Sequence, residues 1–157
     1  MGECGTLFYM VVRTMFMGEF EHTLDDKGRL TVPAKMRGQL GETFIITRGF
    51  DGCLFVYPRH EWHTIEDKVK KLPMTKKEAR IFARLFFSGA IEVKLDRQGR
   101  VHIPQHLLQY AQIMKHCMLI GVATRVEIWA QETWQTYVEA STKVFNDITE
   151  DIVDFDG

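Results

Sequence analysis

The sequence contains an internal repeat, which constrains the fold more than any other feature of the chain. Residues 18–33 align with residues 89–104 without a gap. The matching positions hold glycine, leucine, aspartate, arginine or proline, and they are Gly18/Gly89, Leu24/Leu95, Asp25/Asp96, Gly28/Gly99, Arg29/Arg100 and Pro33/Pro104. A weaker similarity continues through both halves and ends at Trp62 and Trp134. Self-similarity of this extent indicates two copies of one structural unit.

Each copy begins with a pattern typical of two short strands joined by a tight turn. Residues 20–24 alternate apolar and polar side chains, as a half-buried strand does, and residues 29–33 form a second strand that ends at a proline. An aspartate can accept hydrogen bonds from the turn, and a glycine supplies the positive φ that a tight hairpin needs. These turn residues are Asp25 and Gly28 in the first copy and Asp96 and Gly99 in the second.

The rest of the pattern predicts a mixed α+β fold. A short helix is expected after each repeated proline, because proline suits the first turn of a helix. Amphipathic spacing predicts longer helices over residues 59–72, after a capping box at residues 75–78, and over residues 132–148. We interpret the apolar positions of the last helix as core or oligomer contacts rather than a cofactor site. Apolar runs predict two more strands in each half, near residues 44–47, 53–57, 117–122 and 126–130.

Composition argues against a secreted or membrane-bound chain. The apolar run at residues 7–12 is too short to cross a bilayer, and no secretory signal is present. The three cysteines include no Cys-x-x-Cys pair, so neither a disulfide framework nor a zinc finger is indicated. We predict a reducing cytosol, with Cys53 and Cys117 acting as small strand hydrophobes.

The charge is unevenly distributed along the chain. The net charge is -1, but the residues from Glu139 onward carry -5 and the preceding 138 residues carry +4. The body is therefore mildly basic and the tail acidic. We interpret the tail as a solvated C-terminus.

Nothing in the sequence has the pattern of an active site. His60 and His63 lie on a predicted helix, and His102 and His106 flank Pro104, but none of them has a third ligand in a recognisable motif. No glycine-rich phosphate loop or Ser-His-Asp signature is present. We therefore predict a protein that is not an enzyme and that has no metal or cofactor.

The two predicted turns carry cations that could meet an anionic partner. Lys27 and Arg29 stand in the first turn, and Arg97 and Arg100 in the second. Arginine offers a bidentate fork to phosphate or guanine, and a two-stranded ribbon is slim enough for the major groove of DNA. The alternative is that Arg29 and Arg100 only pair with the aspartates of their own turns. The recurrence of the pattern at one register favours DNA, and two residues just past the first turn, Lys35 and Arg37, could add phosphate contacts.

These motifs resemble the MraZ family. The similarity lies in Met-Phe-Met-Gly-Glu-Phe at residues 15–20, in residues 22–29 and 32–35, and in the second Asp-x-x-x-Arg motif at residues 96–100. The resemblance implies a bacterial transcription regulator with two AbrB-like swapped-hairpin modules around a small barrel-like core. It also implies a ring-shaped homo-oligomer that binds DNA repeats upstream of the division and cell-wall gene cluster, acts at the nucleoid and represses that cluster.

In that family the motif arginines contact DNA, so the resemblance assigns this role to Arg29 and Arg100 and extends it less directly to Lys27. The chain departs from the pattern at Gln98, which stands where the first copy has Lys27. A ring presents its hairpins in one sense, so we expect direct repeats spaced by about one helical turn, roughly 10 base pairs. The competing hypothesis is a protein-interaction scaffold, such as an antitoxin-like subunit.

The sequence suggests five segments. Residues 1–14 show no periodicity, and we interpret them as a disordered leader or a misassigned start, with Met15 or Met17 as alternative first residues. The other segments are a first AbrB-like repeat (15–61), a helical linker (62–85), a second repeat (86–132), and a C-terminal helix with its acidic tail (133–157).

Overall fold

The computed structural model of the protein describes residues 14–152, with side chains described as far as residue 148. Within that range the chain forms eight strands and five helices. The strands are β1 (Glu19–Thr23), β2 (Arg29–Thr31), β3 (Thr43–Arg48), β4 (Leu54–Pro58), β5 (Ile91–Lys94), β6 (Arg100–His102), β7 (His116–Val122) and β8 (Arg125–Ala130). The helices are α1 (Ala34–Leu40), α2 (Arg59–Lys70), α3 (Lys77–Gly89), α4 (Gln105–Tyr110) and α5 (Gln131–Ile152). Apart from Thr14, the predicted leader lies outside the described residues, as does the end of the acidic tail.

Six strands form one antiparallel sheet in the order β1-β7-β8-β4-β3-β5. The order is the same from either edge when equivalent strands of the two copies are exchanged. The first strand of each copy pairs with the third strand of the other, since β1 pairs with β7 and β5 pairs with β3. The fourth strands, β4 and β8, meet at the centre. Neither copy therefore forms a sheet of its own.

The second strands of the two copies, β2 and β6, pair in a separate antiparallel ribbon, with Leu30 opposite Val101. The predicted hairpins are therefore wrong as strand pairings. The first turn itself does form, because the backbone N–H of Asp25 donates to the carbonyl of Arg29 over 3.0 Å. The strands on either side of it, however, pair with the other copy. This exchange is the swapped-hairpin arrangement that the resemblance implied.

The sheet is buried on both faces, because its central strands carry apolar residues at both alternating positions. In β4, Leu54 and Val56 belong to the core shared with the ribbon, α1 and α4. Phe55 and Tyr57 belong to a second core that includes residues of α2 and α3. The molecule thus has three layers, with the ribbon, α1 and α4 on one side of the sheet and α2, α3 and the start of α5 on the other.

The two predicted helices that follow β4, α2 and α3, are confirmed, but the capping predicted for α3 is not. The capping box at residues 75–78 is wrong, because the N-cap of α3 is Lys76 and no side chain caps that end. The other end of α3 is fastened to β3. Thr47 Oγ1 donates to the carbonyl of Phe86 over 2.5 Å, and Arg48 Nη1 donates to that of Leu85 over 2.7 Å. Across residues 14–152, no helix is long and apolar enough to cross a membrane.

The observed architecture confirms an α+β fold built from two tandem copies with linking and C-terminal helices. The sheet does not close into a barrel, because β1 and β5 remain at its two edges. Closure of the core comes instead from the ribbon, which lies across one face of the sheet and brings the two repeated turns together.

Candidate nucleic-acid interface

The outward surface of the ribbon carries both arginines of the repeated motif. Strand alternation buries Leu30 and Val101 against the sheet, so the residues beside them point away from the core. We call the outward set the ribbon face, and it consists of Arg29, Thr31, Arg100 and His102. Because the strands are antiparallel, Arg29 lies diagonally across from Arg100. Both guanidinium groups are partly exposed and share one small surface.

Each turn is organised by its aspartate in the way the sequence predicted. Asp25 Oδ1 accepts hydrogen bonds from the backbone N–H groups of Lys27 and Arg29, both over 2.9 Å. In the second copy, Asp96 Oδ1 accepts from Gln98 over 2.8 Å and from Arg100 over 2.9 Å. The turn glycines, Gly28 and Gly99, both have a φ of 75°, which explains why this position is a glycine in each copy.

The aspartates also hold the arginine side chains. Arg29 Nε donates to Asp25 Oδ2 over 2.6 Å, and Arg100 Nε donates to Asp96 Oδ2 over 2.9 Å. The ion pairs that the sequence left as an alternative are therefore present in both turns. They occupy the Nε edge of each guanidinium, while Arg100 Nη1 lies 3.8 Å from Asp25 Oδ2 and links the two copies. Each side chain is thus held in one orientation, Arg29 through Nε and Arg100 through both Nε and Nη1.

We expect the Asp25 carboxyl to titrate well below its usual range. The backbone N–H of Arg29 is the largest cause, and with the Arg29 side chain it outweighs partial desolvation and lowers the pKa from 3.8 to about 2. The backbone N–H of Arg100 lowers the pKa of Asp96 in the same way. A carboxyl whose folded pKa is depressed stabilises the fold above its unfolded pKa of about 3.9 and loses that contribution as the pH falls through the folded value.

Carboxyl-carbon NMR titration measures this directly. The Arg29→Ala variant should raise the pKa of Asp25 but leave it below 3.8, because the backbone donors remain. A wild-type Asp25 that titrates at 3.8 or above would show that the turn does not form these bonds in solution.

The tips of both turns present cations to solvent. Lys27 and Arg97 are exposed, and neither side chain contacts a partner within residues 14–152. The turns differ in charge, since residues 25–29 are neutral and residues 96–100 carry +1. Arg97 takes the place of Asp26 and more than offsets the loss of a lysine at Gln98. The second turn therefore attracts anions more strongly than the first.

The other two predicted DNA-contact residues, Lys35 and Arg37, lie on α1 and not at the tips of the turns. Lys35 is exposed on α1. The guanidinium of Arg37 lies so close to Gly99 that a Cβ there would collide with it, and Arg37 Nε is buried without a hydrogen-bond partner in the described chain. The equivalent residue in the second copy is Leu108, which lies against Gly28. Arg37 therefore packs against the turn of the other copy.

The histidines and cysteines of the described chain do not gather into a metal site. No group of three or more His, Cys, Asp or Glu side chains in that range could hold a metal ion. His63 lies 3.6 Å from Glu66 on the same helix, as a surface pair. Cys53 and Cys117 are free and buried, as predicted, and burial raises the pKa of both thiols.

A protein-family model described as "MraZ protein, putative antitoxin-like" matches residues 15–85 and, a second time, residues 86–156. The chain belongs to the MraZ family. The double match agrees with the internal repeat, and each matched range extends past the predicted repeat, to residue 85 in the first copy and to residue 156 in the second. MraZ is a regulator-type, non-enzymatic family, and the ribbon face of this MraZ protein is a candidate binding surface.

Two residues of the ribbon face were not among the predicted site residues. Thr31 and His102 are exposed beside the arginines. Strand alternation carried a signal for them, because each lies two positions from a motif arginine and so points to the same side. The sequence of this MraZ protein did not reveal that β2 and β6 pair with each other, which is what joins the four side chains into one surface.

Proposed function

We propose that the protein is a sequence-specific DNA-binding transcriptional regulator that represses its own division and cell-wall gene cluster. In this proposal it works in the cytoplasm, at the nucleoid. Membership of a regulator-type family supports it in general terms. The observation that carries it is the ribbon face, where Arg29 and Arg100 lie together between two exposed cationic tips, Lys27 and Arg97.

The arginines are suited to reading base edges. An aspartate holds the Nε edge of each guanidinium, and Arg100 Nη1 also lies 3.8 Å from Asp25 Oδ2. The remaining Nη donors are the natural ones for O6 and N7 of guanine in the major groove. Because each side chain is already oriented, little rotamer freedom is lost on binding. Lys27, Arg97 and Lys35 contact phosphates, which fix register without specifying sequence. Arg37 contributes by supporting the second turn.

The proposal includes assembly into a ring of identical chains. Head-to-tail contacts around a ring present every ribbon face in the same sense, whereas a two-fold dimer would present two faces in opposite senses. The preferred operator is then a set of direct repeats about one helical turn apart, roughly 10 base pairs.

The test is fluorescence-anisotropy binding to DNA from upstream of the protein's own gene, over a salt series. The wild type should bind tightly and weaken as salt rises. The Arg29→Ala/Arg100→Ala variant loses both guanidinium groups. Its affinity for the DNA should fall on the order of 100-fold, because each base contact contributes about 1–3 kcal/mol. Loss of two phosphate contacts in Lys27→Ala/Arg97→Ala should reduce the salt slope by about 2 per chain bound. Direct-repeat DNA should outcompete inverted-repeat DNA.

Two further variants separate base reading from charge. In Arg29→Lys/Arg100→Lys the charge stays and the planar fork is lost, so discrimination between operator and random DNA should fall while the salt slope persists. The matched control, Lys68→Ala/Lys71→Ala, removes two exposed cations from around the end of α2 and should bind like the wild type. Undiminished binding by the alanine pair at Arg29 and Arg100 would move the site elsewhere.

The second candidate function is an antitoxin-like interaction scaffold. The family description favours it, and so does the engagement of both arginines in ion pairs with the aspartates of their own turns. A scaffold should retain its partner when Arg29 and Arg100 are lost. Absence of wild-type binding to the upstream DNA at low salt would make this the leading function.

A further inference from the structure

His102 is a side chain of the ribbon face that takes no part in holding the turns together. It lies on β6, directly opposite Arg29 of β2. The side chain is exposed, and within residues 14–152 its imidazole has neither a hydrogen-bond partner nor an ion-pair partner. Arg29 and Arg100, by contrast, are held by the aspartates of their turns. Both ring nitrogens of His102 are therefore available to an external partner.

His102 also makes the two halves of the ribbon face chemically different. The repeat places Thr31 and His102 at equivalent positions, so Arg100 has a threonine opposite it and Arg29 has a histidine. Both side chains can donate and accept hydrogen bonds, but only an imidazole changes its charge between about pH 5 and 8. Among the four residues of the ribbon face, His102 is therefore the one that can gain a charge in that range.

The surroundings of the imidazole supply no counter-charge of their own. A Cβ added to Gly28 would lie 3.8 Å from Nε2 of His102 and 3.7 Å from the side chain of Leu108, so the ring and α4 both lie against the first turn. The charged and titratable residues on these elements are Asp25, Asp26, Lys27, Arg29, Arg100 and His106. Residues 25–29 are neutral in sum, and neither carboxylate forms an ion pair with the ring. The charge that stabilises a protonated ring must therefore come from outside the chain.

Arg29 and His102 would meet the same short stretch of DNA. Directly opposed residues of an antiparallel pair have Cβ atoms about 5 Å apart, and successive bases of one strand are about 3.4 Å apart. An imidazole opposite an arginine that reads a base edge thus lies within one or two base pairs of that base. The acceptors there are phosphate oxygens and the O6 and N7 atoms of guanine. A protonated imidazole can donate to either kind, from both of its nitrogens.

We propose that His102 is a further DNA-contacting residue, which binds DNA in its protonated form and so makes the affinity for DNA rise as the pH falls. This inference rests on the proposed DNA binding and adds to it a contact residue and a response to pH. The direction follows from linkage between two ligands, the proton and the DNA. If DNA favours the protonated ring, protonation must favour DNA binding by the same factor.

Anisotropy titrations of the upstream DNA at one salt concentration, from about pH 8 to about pH 6, test the proposal. The wild type should gain affinity toward the lower pH, by at most about tenfold per pH unit for each chain bound, because each chain takes up one proton. His102→Gln stays neutral and should lose most of this gain, while binding near pH 8 much as the wild type does. His102→Lys stays charged, so its affinity should be nearly independent of pH.

Two other exposed histidines provide matched controls. His63→Gln removes an imidazole from α2, on the opposite side of the sheet, and His106→Gln removes one from α4, near the ribbon but outside its face. Both variants should keep the wild-type gain in affinity. Because all three side chains are exposed, every variant should retain the wild-type circular dichroism spectrum. A gain that is lost in His106→Gln but kept in His102→Gln would place the proton on α4 and overturn the proposal.

Isothermal titration calorimetry then counts the proton. In buffers of different ionisation enthalpy, the heat of wild-type binding should change in proportion to that enthalpy, and the heat for His102→Gln should change much less. A gain confined to operator DNA would assign the contact to a base edge, and an equal gain on random-sequence DNA would assign it to phosphate. Equal proton uptake by the wild type and His102→Gln would overturn the role of His102 and leave DNA binding intact. A wild type that does not bind the upstream DNA even near pH 6 and at low salt would overturn both.

Discussion

Replacing Leu30 with alanine is expected to lower the free energy of unfolding by about 3–4 kcal/mol, from lost apolar burial and the cavity that remains. Leu30 has no exposed surface, and it faces Val101 at the centre of the ribbon. The ribbon strands are only three residues long, so few other contacts can compensate. Both repeated turns flank this ribbon, and the loss should therefore loosen the whole candidate interface.

Urea unfolding at one fixed protein concentration measures this loss, since the stability of an assembled protein depends on concentration. The matched control is Thr31→Ala, one residue along on the exposed face of the same strand, which should cost no more than about 1 kcal/mol. Equal losses in the two variants would mean that the ribbon is not packed on the sheet. The Val101→Ala variant removes the facing side chain, and its effect should not add to that of Leu30→Ala, because the two residues share one cavity.

Replacing Phe16 with alanine should cost about 3–5 kcal/mol, although the residue lies before the first strand. Phe16 is 1% exposed and belongs to the core shared with the ribbon. Its backbone exchanges two hydrogen bonds with Ala123, of 2.7 and 2.9 Å. The backbone of the next residue, Met17, lies so close to Gly121 that a Cβ on Gly121 would collide with it. The segment is thus part of the folded core.

Thermal and urea unfolding of Phe16→Ala should be compared with Met17→Ala, which removes a neighbouring side chain that is mostly exposed. The control should stay within about 0.5 kcal/mol of the wild type. A loss below about 1 kcal/mol for Phe16→Ala would indicate that the segment is detached from Ala123 in solution.

Much of the fold was predictable because local patterns decide it. The alternation in residues 20–24 and the positive φ at Gly28 follow from nearest-neighbour sterics, and both are confirmed. Pairing is different, because a two-residue period reveals which side of a strand is buried and not which strand lies beside it. The partner of β1 lies almost a hundred residues away, so no local signal distinguished a hairpin from an exchanged strand.

In the candidate site, too, contacts within one turn were predictable from the sequence, whereas contacts between the two copies were not. The ion pairs of Arg29 and Arg100 were foreseeable as an alternative, because the aspartate and arginine of each motif are four residues apart in one turn. The placement of Arg37 was not, since its contact with Gly99 depends on how the two copies interlock. An apolar groove between α3 and the turn that joins β3 to β4 was also missed. Phe50, Ile81 and Leu85 look like core residues in the sequence, and only the packing shows that they remain exposed.

The exchanged strands have a consequence for synthesis on the ribosome. At 5–20 residues per second, roughly 5–20 s separate the emergence of β1 from that of β7, its partner. During that interval the first copy has most of its apolar residues but neither a partner for β1 nor one for β2. In the newly made half β1 and β2 are therefore unpaired, and β3 and β4 each have one unpaired edge. A neighbouring nascent chain from the same message could supply the missing strands.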